Sequence, residues 1–339
     1  MKIQQGLVGA AVLAGALLGG VAGSAQTCTP QSQMKDADRD SLALAAKTLS
    51  QKIAAGDEAG VRGLTIAEFQ KDFSGMGESI MATAPRVKGA TPEVEQVYLL
   101  DASTMQKTTG GTAADAQFYC TLNQSPAEAE FSIPQLPPGR YGFAMVRMEG
   151  AAPWRLSYLL RQDGGQWQLA GLYPKALTAG GHDGLWYWQQ ARMHATNKEP
   201  WSAWLYLQEA QSLLLPANFV SSTHLEKLRE ELGTAAPPTV AGLSADSPLV
   251  VKGADGTEYR FTAIGVDDSL GGDRVDIAGH IKVDSLGDGA VARKRNLDAM
   301  AALVAAHPEL RKVFHGVLIF AEVPGQNAYT TEQAMAEIK

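Results

Sequence analysis

The sequence predicts an α+β protein: N-terminal helices on a curved antiparallel sheet, then a helical hairpin, then a separate small α+β domain. Three observations lead there. Apolar residues recur at helical spacing before residue 85. Short strand-like segments then follow up to residue 176, separated by Gly, Pro and Ser clusters. A stretch of small residues and prolines at 233–248 precedes a second set of strands. Helices first and a run of antiparallel strands afterwards is the order of an α+β domain.

The chain opens on an address. Lys2 precedes an apolar run from Leu7 to Val21, and Gly23-Ser24-Ala25 supplies the small residues of a cleavage site. This is the layout of a secretory signal peptide over residues 1–25. The run is too short and too rich in glycine for a membrane span, which takes ~20 apolar residues. Neither a lipid-attachment box before Cys28 nor a twin arginine is present. The expectation is an exported chain, periplasmic or extracellular, beginning near Gln26 with no stable membrane anchor after signal cleavage. Losing the leader removes one Lys and no acid, so the net charge moves from −7 to −8. A mildly acidic chain lacks the electrostatic footprint for nucleic acid or anionic lipid.

Cys28 and Cys120 are the two cysteines. In an oxidising compartment such a pair forms a disulfide, the alternative being two unrelated thiols. The loop it closes is long enough for ~4–5 kcal/mol in the chain-entropy view. Ligand spacing for a metal is absent, and no histidine lies between them.

The elements follow in order. Residues 36–55 read as a helix with Leu42, Leu44, Ala45, Leu49 and Ile53 apolar and acids at its start, which suits a helix N-terminus. Ile66, Phe69, Phe73, Met76 and Ile80 recur three and four apart and predict a second helix, with Thr65 and Glu68 as a capping box. After Pro85 the pattern turns to strands at 94–101, 117–122, 128–133 and 141–148. A hairpin over 154–161 and 166–173 turns at Asp163-Gly164-Gly165.

Helices first, then strands ending in "YLLRQDGGQWQLAGLYPK" (Tyr158 to Lys175), resembles the nuclear-transport-factor-like, or cystatin-like, cone-shaped fold. The likeness covers roughly residues 36–176. It implies a pocket more than a reaction, because many unrelated functions use that fold.

Residues 183–232 read as helical and aromatic: Asp183 caps 184–195, Pro200 opens a helix to 215, and a third helix spans about 219–232. The first two resemble a degenerate tetratricopeptide hairpin. Ala191, Ala203 and Ala210 stand at its small positions and Tyr187 and Leu207 at its large ones. Arrays of that kind need three or more repeats, so a single hairpin is expected to pack on the preceding domain. Residues 233–248 are read as a linker. Beyond it come strands at 249–252, 257–266 and 274–283, a helix at about 290–306, a strand at 316–323, and a short closing helix at 331–338.

The chemistry-bearing residues are sparse. No nucleophile elbow, phosphate loop, zinc-protease helix or dinucleotide fingerprint occurs. All six histidines follow the cone-like region, which leaves Asp101 and Asp115 as its acid–base candidates, against a reading as solvated turn acids. His182-Asp183 is either a base with its orienting acid or a loop followed by a helix cap. Asp276, His280 and Asp284 fall at intervals of four along a strand, on one face, and are the candidate metal or acid–base set. Trp186, Trp188, Trp201 and Trp204 are the candidate ligand or partner surface, against a reading as core between two helices.

These residues favour an exported, non-enzymatic binding or protein-interaction protein for a small apolar ligand or a protein partner, with no cofactor. The C-terminal domain is expected to move semi-independently. The alternative is a carboxylate-based hydrolase or isomerase with its pocket in the cone-like domain.

Overall fold

The computed structural model of the protein describes residues 26–105, 111–121 and 128–339; the leader read over residues 1–25 lies outside them. In chain order, β1 (Thr27–Pro30) is followed by α1 (Asp36–Ala54), α2 (Glu58–Gly63), α3 (Ala67–Lys71) and α4 (Ser74–Val87). Six strands come next: β2 (Thr91–Asp101), β3 (Ala116–Thr121), β4 (Glu128–Ile133), β5 (Arg140–Glu149), β6 (Trp154–Asp163) and β7 (Gln166–Ala176). Two short strands, β8 (Thr178–Ala179) and β9 (His182–Asp183), lead into α5 (Gly184–Thr196) and α6 (Pro200–Leu214). Then come β10 (Val220–Ser222) and α7 (Thr223–Ala235). The C-terminal part holds β11 (Leu249–Lys252), β12 (Glu258–Asp267), β13 (Asp276–Lys282), α8 (Gly289–Ala306), β14 (Gly316–Glu322) and β15 (Tyr329–Ala334).

The class is mixed α+β. One sheet runs β1-β2-β5-β6-β7 and a second β10-β4-β3, all antiparallel. The C-terminal sheet runs β11-β12-β13-β14-β15, and its β13 and β14 pair in parallel across the α8 crossover.

The first sheet has two apolar faces because its strands alternate. Ala144, Val146 and Met148 of β5 and Leu156, Tyr158 and Leu160 of β6 face α1, which buries Leu42, Ala46, Leu49 and Ile53 against them. Gly142 lets the helix come close: a Cβ there would stand 2.4 Å from Leu42 Cδ1. On the opposite face Tyr98, Leu100, Phe143 and Leu159 pack against Phe118, Phe131 and Ile133 of the second sheet. The Cys28–Cys120 disulfide, Cα atoms 5.2 Å apart, ties β1 of the first sheet to β3 of the second.

Four expectations give way to tertiary pairing. The helix read from Ile66 to Ile80 is two helices that part at Asp72-Phe73, and ahead of them Leu64 and Ile66 are hydrogen-bonded as extended chain to Leu169 of β7. Thr65 therefore donates its hydroxyl to the Val61 carbonyl instead of capping, and Glu68 pairs with Arg161. Residues 220–222, read as the start of a helix, are strand paired to β4, so α7 begins at Thr223 under a Ser222 cap. The closing helix read over 331–338 is β15 for its first half, because β14 offers it an open edge. The stretch 233–248 is no free spacer. Val240 is buried and Leu243 packs beside it in a core shared by the hairpin and the C-terminal sheet.

That shared core sets the C-terminal sheet against α5 and α6. Trp201 lies 3.9 Å from the His307 ring, and Tyr206 meets Phe314 edge-on at 5.7 Å. A large aromatic contact of this kind holds the two parts together, where a small polar interface would let them move. Among the described residues no helix is long and apolar enough to cross a membrane.

Candidate functional site

An apolar cleft of ≈ 500 Å³ opens where the first sheet, the second sheet and the helical hairpin meet. Its floor follows from strand alternation. Phe143 and Met145 of β5 project from the face opposite α1, and Ala129 and Phe131 of β4 cover the neighbouring wall. The aromatic rings lock one another edge to face: Tyr98 to Phe131 at 5.1 Å, Phe131 to Phe143 at 5.2 Å, and Phe143 to Phe219 at 5.6 Å. Such contacts fix ring orientation as well as burying area, so the floor is preformed.

The roof comes from the hairpin. Leu185 and Trp188 of α5 and Leu214 at the end of α6 reach over the cleft, while Val220, Ser221 and Leu225 close its far side. Trp188 is held from behind. Its Nε1–H donates to Glu231 at 2.7 Å, and the Arg192 guanidinium lies 4.6 Å over its ring. Arg192 also donates to Glu231 and holds that carboxyl below the usual carboxylate range. Leu185, 54% exposed, stands at the mouth. One basic side chain, Arg155 of β6, enters the wall, and its Nε donates to Glu95 at 2.9 Å.

The four tryptophans do not form one surface. Trp188 lines the cleft. Trp201 and Trp204, 4% and 8% exposed, are buried in the core between the hairpin and the C-terminal sheet. Trp186 stacks on His182 at 3.7 Å. Asp183 caps α5 by accepting from the Trp186 N–H at 2.8 Å, which accounts for the His182-Asp183 pair without chemistry. His194 is a packed helix histidine whose Nδ1 lies 2.7 Å from Glu199.

The metal set Asp276, His280 and Asp284 is not brought together. Among the described residues no three His, Cys, Asp or Glu side chains stand close enough to hold an ion. Asp276 is buried and its carboxyl is pushed up by that burial. His280 stacks on Phe320 and meets Glu322 at 2.7 Å. Asp284 lies beyond the end of β13, so the strand periodicity that joined it to the other two does not reach it. Of the cone-region acids, Asp101 at the end of β2 accepts from the backbone of Ser103, and Asp115 just before β3 accepts from that of Gln135.

Sequence reasoning missed Phe131, Phe143 and Arg155 as cleft residues. The available signal was in β6, where Arg155 and Ser157 alternate with Leu156, Tyr158 and Leu160 and so mark a second, partly polar face. Comparison of the chain with protein-family models, with curated proteins and with solved structures finds no match.

Proposed function

We propose that the protein is an exported binding protein that holds a small apolar ligand in the cleft between the first sheet and the helical hairpin. The observation that carries this reading is the preformed apolar cleft of ≈ 500 Å³ with a single strand-borne cation in its wall. Ligand sites of ~300–1,000 Å³ with few polar groups are the common form of small-molecule pocket. The Cys28–Cys120 disulfide supports an oxidising compartment, in keeping with the leader read from the sequence. The cleft lining holds no pair of converging carboxylates, which is what a hydrolase or isomerase of the alternative kind needs.

Native mass spectrometry on the protein purified from its own exported fraction tests this. The expected result is a small-molecule adduct that survives desalting and is lost in Ala129→Leu, which fills the cleft, with the circular dichroism spectrum unchanged. A bare chain, or an adduct indifferent to Ala129→Leu, overturns the reading.

A further inference from the structure

Arg155 is the charged side chain in the cleft wall, and none of its fifteen described lining residues is acidic, in a chain of net charge −7. Strand register sets Arg155 in a row of mixed charge. Glu93, Arg147, Arg155 and Lys175 stand opposite one another across β2, β5, β6 and β7, on the face that carries the cleft. Glu149 engages Arg147, and Glu95 takes the Nε–H of Arg155. A guanidinium has five N–H donors in a planar fork, so this contact leaves the fork end for another acceptor. Arg155 is largely withdrawn from water, its side chain 18% exposed. Ser157 follows on the same face, directly opposite the cleft residue Met145. It is 0% exposed, and its Oγ has no hydrogen-bond partner among the described residues. It lies beneath the cleft surface, outside the residues that line it.

We infer that the ligand is a single-chain amphiphile with a carboxylate head. The apolar tail lies between Phe131, Phe143 and Trp188, and the head meets the fork of Arg155. This rests on the cleft being a ligand site, as proposed above. A carboxylate suits the planar fork in a way that a point charge or a hydroxyl does not.

Isothermal titration with octanoate, decanoate, dodecanoate and tetradecanoate, with dodecan-1-ol and dodecyltrimethylammonium as head-group controls, tests the assignment. Affinity for the carboxylates should rise about fourfold per added methylene until the cleft is filled. Dodecanoate should bind about tenfold or more tightly than dodecan-1-ol, and the ammonium amphiphile more weakly than either. Arg155→Gln should abolish the preference for dodecanoate over dodecan-1-ol, and Glu95→Gln should strengthen dodecanoate by freeing the guanidinium. Equal affinity for all three head groups, or an Arg155→Gln variant that weakens all three alike, overturns the carboxylate assignment and leaves the apolar cleft standing. No binding by any member of the series overturns both.

Discussion

Replacing Glu209 with Gln should stabilise the protein above neutral pH and change little in mild acid. Glu209 sits on α6 where the hairpin meets the C-terminal sheet, with Asp267 and Asp268 at the end of β12 and the Tyr187 phenol of α5 beside it. Burial raises its pKa first, and the Asp268 and Asp267 carboxylates raise it further. Lys175 of β7 opposes them, and the group titrates at about 7 against an ordinary 4.5. A carboxyl whose folded pKa lies above its unfolded value contributes fully below the unfolded pKa. That contribution is lost as pH rises through the folded value, so stability should fall between about pH 4.5 and about pH 7. The full linkage corresponds to about 3 kcal/mol, and relaxation with partial water access at this interface reduces it to roughly 1–2 kcal/mol. Gln keeps the shape and stays neutral, so it should hold the low-pH stability throughout. Urea unfolding of the two proteins at about pH 5 and about pH 8 reads this directly. Wild type should lose more stability than Glu209→Gln on going to the higher pH. Parallel pH dependence of the two proteins would show that water or a local cation already neutralises the carboxylate, and the reasoning would fail.

Three further outcomes follow from single contacts. Cys120→Ser should cost ~2–5 kcal/mol in urea unfolding, and reductant should bring wild type to the variant's midpoint and leave the variant unmoved. Gly142→Ala puts a Cβ 2.4 Å from Leu42 Cδ1 and should cost about 1–3 kcal/mol. Combined with Leu42→Ala, the pair should cost less than the two changes separately, and strict additivity would show that the helix moves aside instead. Asn296 donates to the carbonyls of Ile319 and Tyr329 and to the Thr331 hydroxyl. Asn296→Ala should cost roughly 1–3 kcal/mol and speed amide exchange in β15, and unchanged exchange there would assign no role to that anchor.

The sequence alone determined the elements whose signal is local. The acids at the start of α1 and its buried Leu42, Leu49 and Ile53 mark that helix without reference to anything else. Asp183 marked the start of α5, and the Gly, Pro and Ser clusters between 101 and 166 marked the strands from β2 to β7. Both cysteines could be paired by arithmetic and compartment, since a lone pair in an oxidising setting has one partner choice. Tertiary structure decided whatever depends on a distant partner. Residues 64–66 are extended because Leu169 holds them, and 220–222 are strand because β4 has a free edge there. Residues 329–334 are strand because β14 has one as well, although their own propensity allows a helix. Trp201 and Trp204 became core only when the C-terminal sheet arrived to cover them. The cleft belongs wholly to this second kind. Phe131, Phe143, Arg155 and Trp188 come from four elements, and no sequence window contains them together. Hydrogen-bonding edges and apolar faces are satisfied by whichever complementary surface the whole chain brings near. A cavity between three layers is therefore a property of the assembly rather than of any segment.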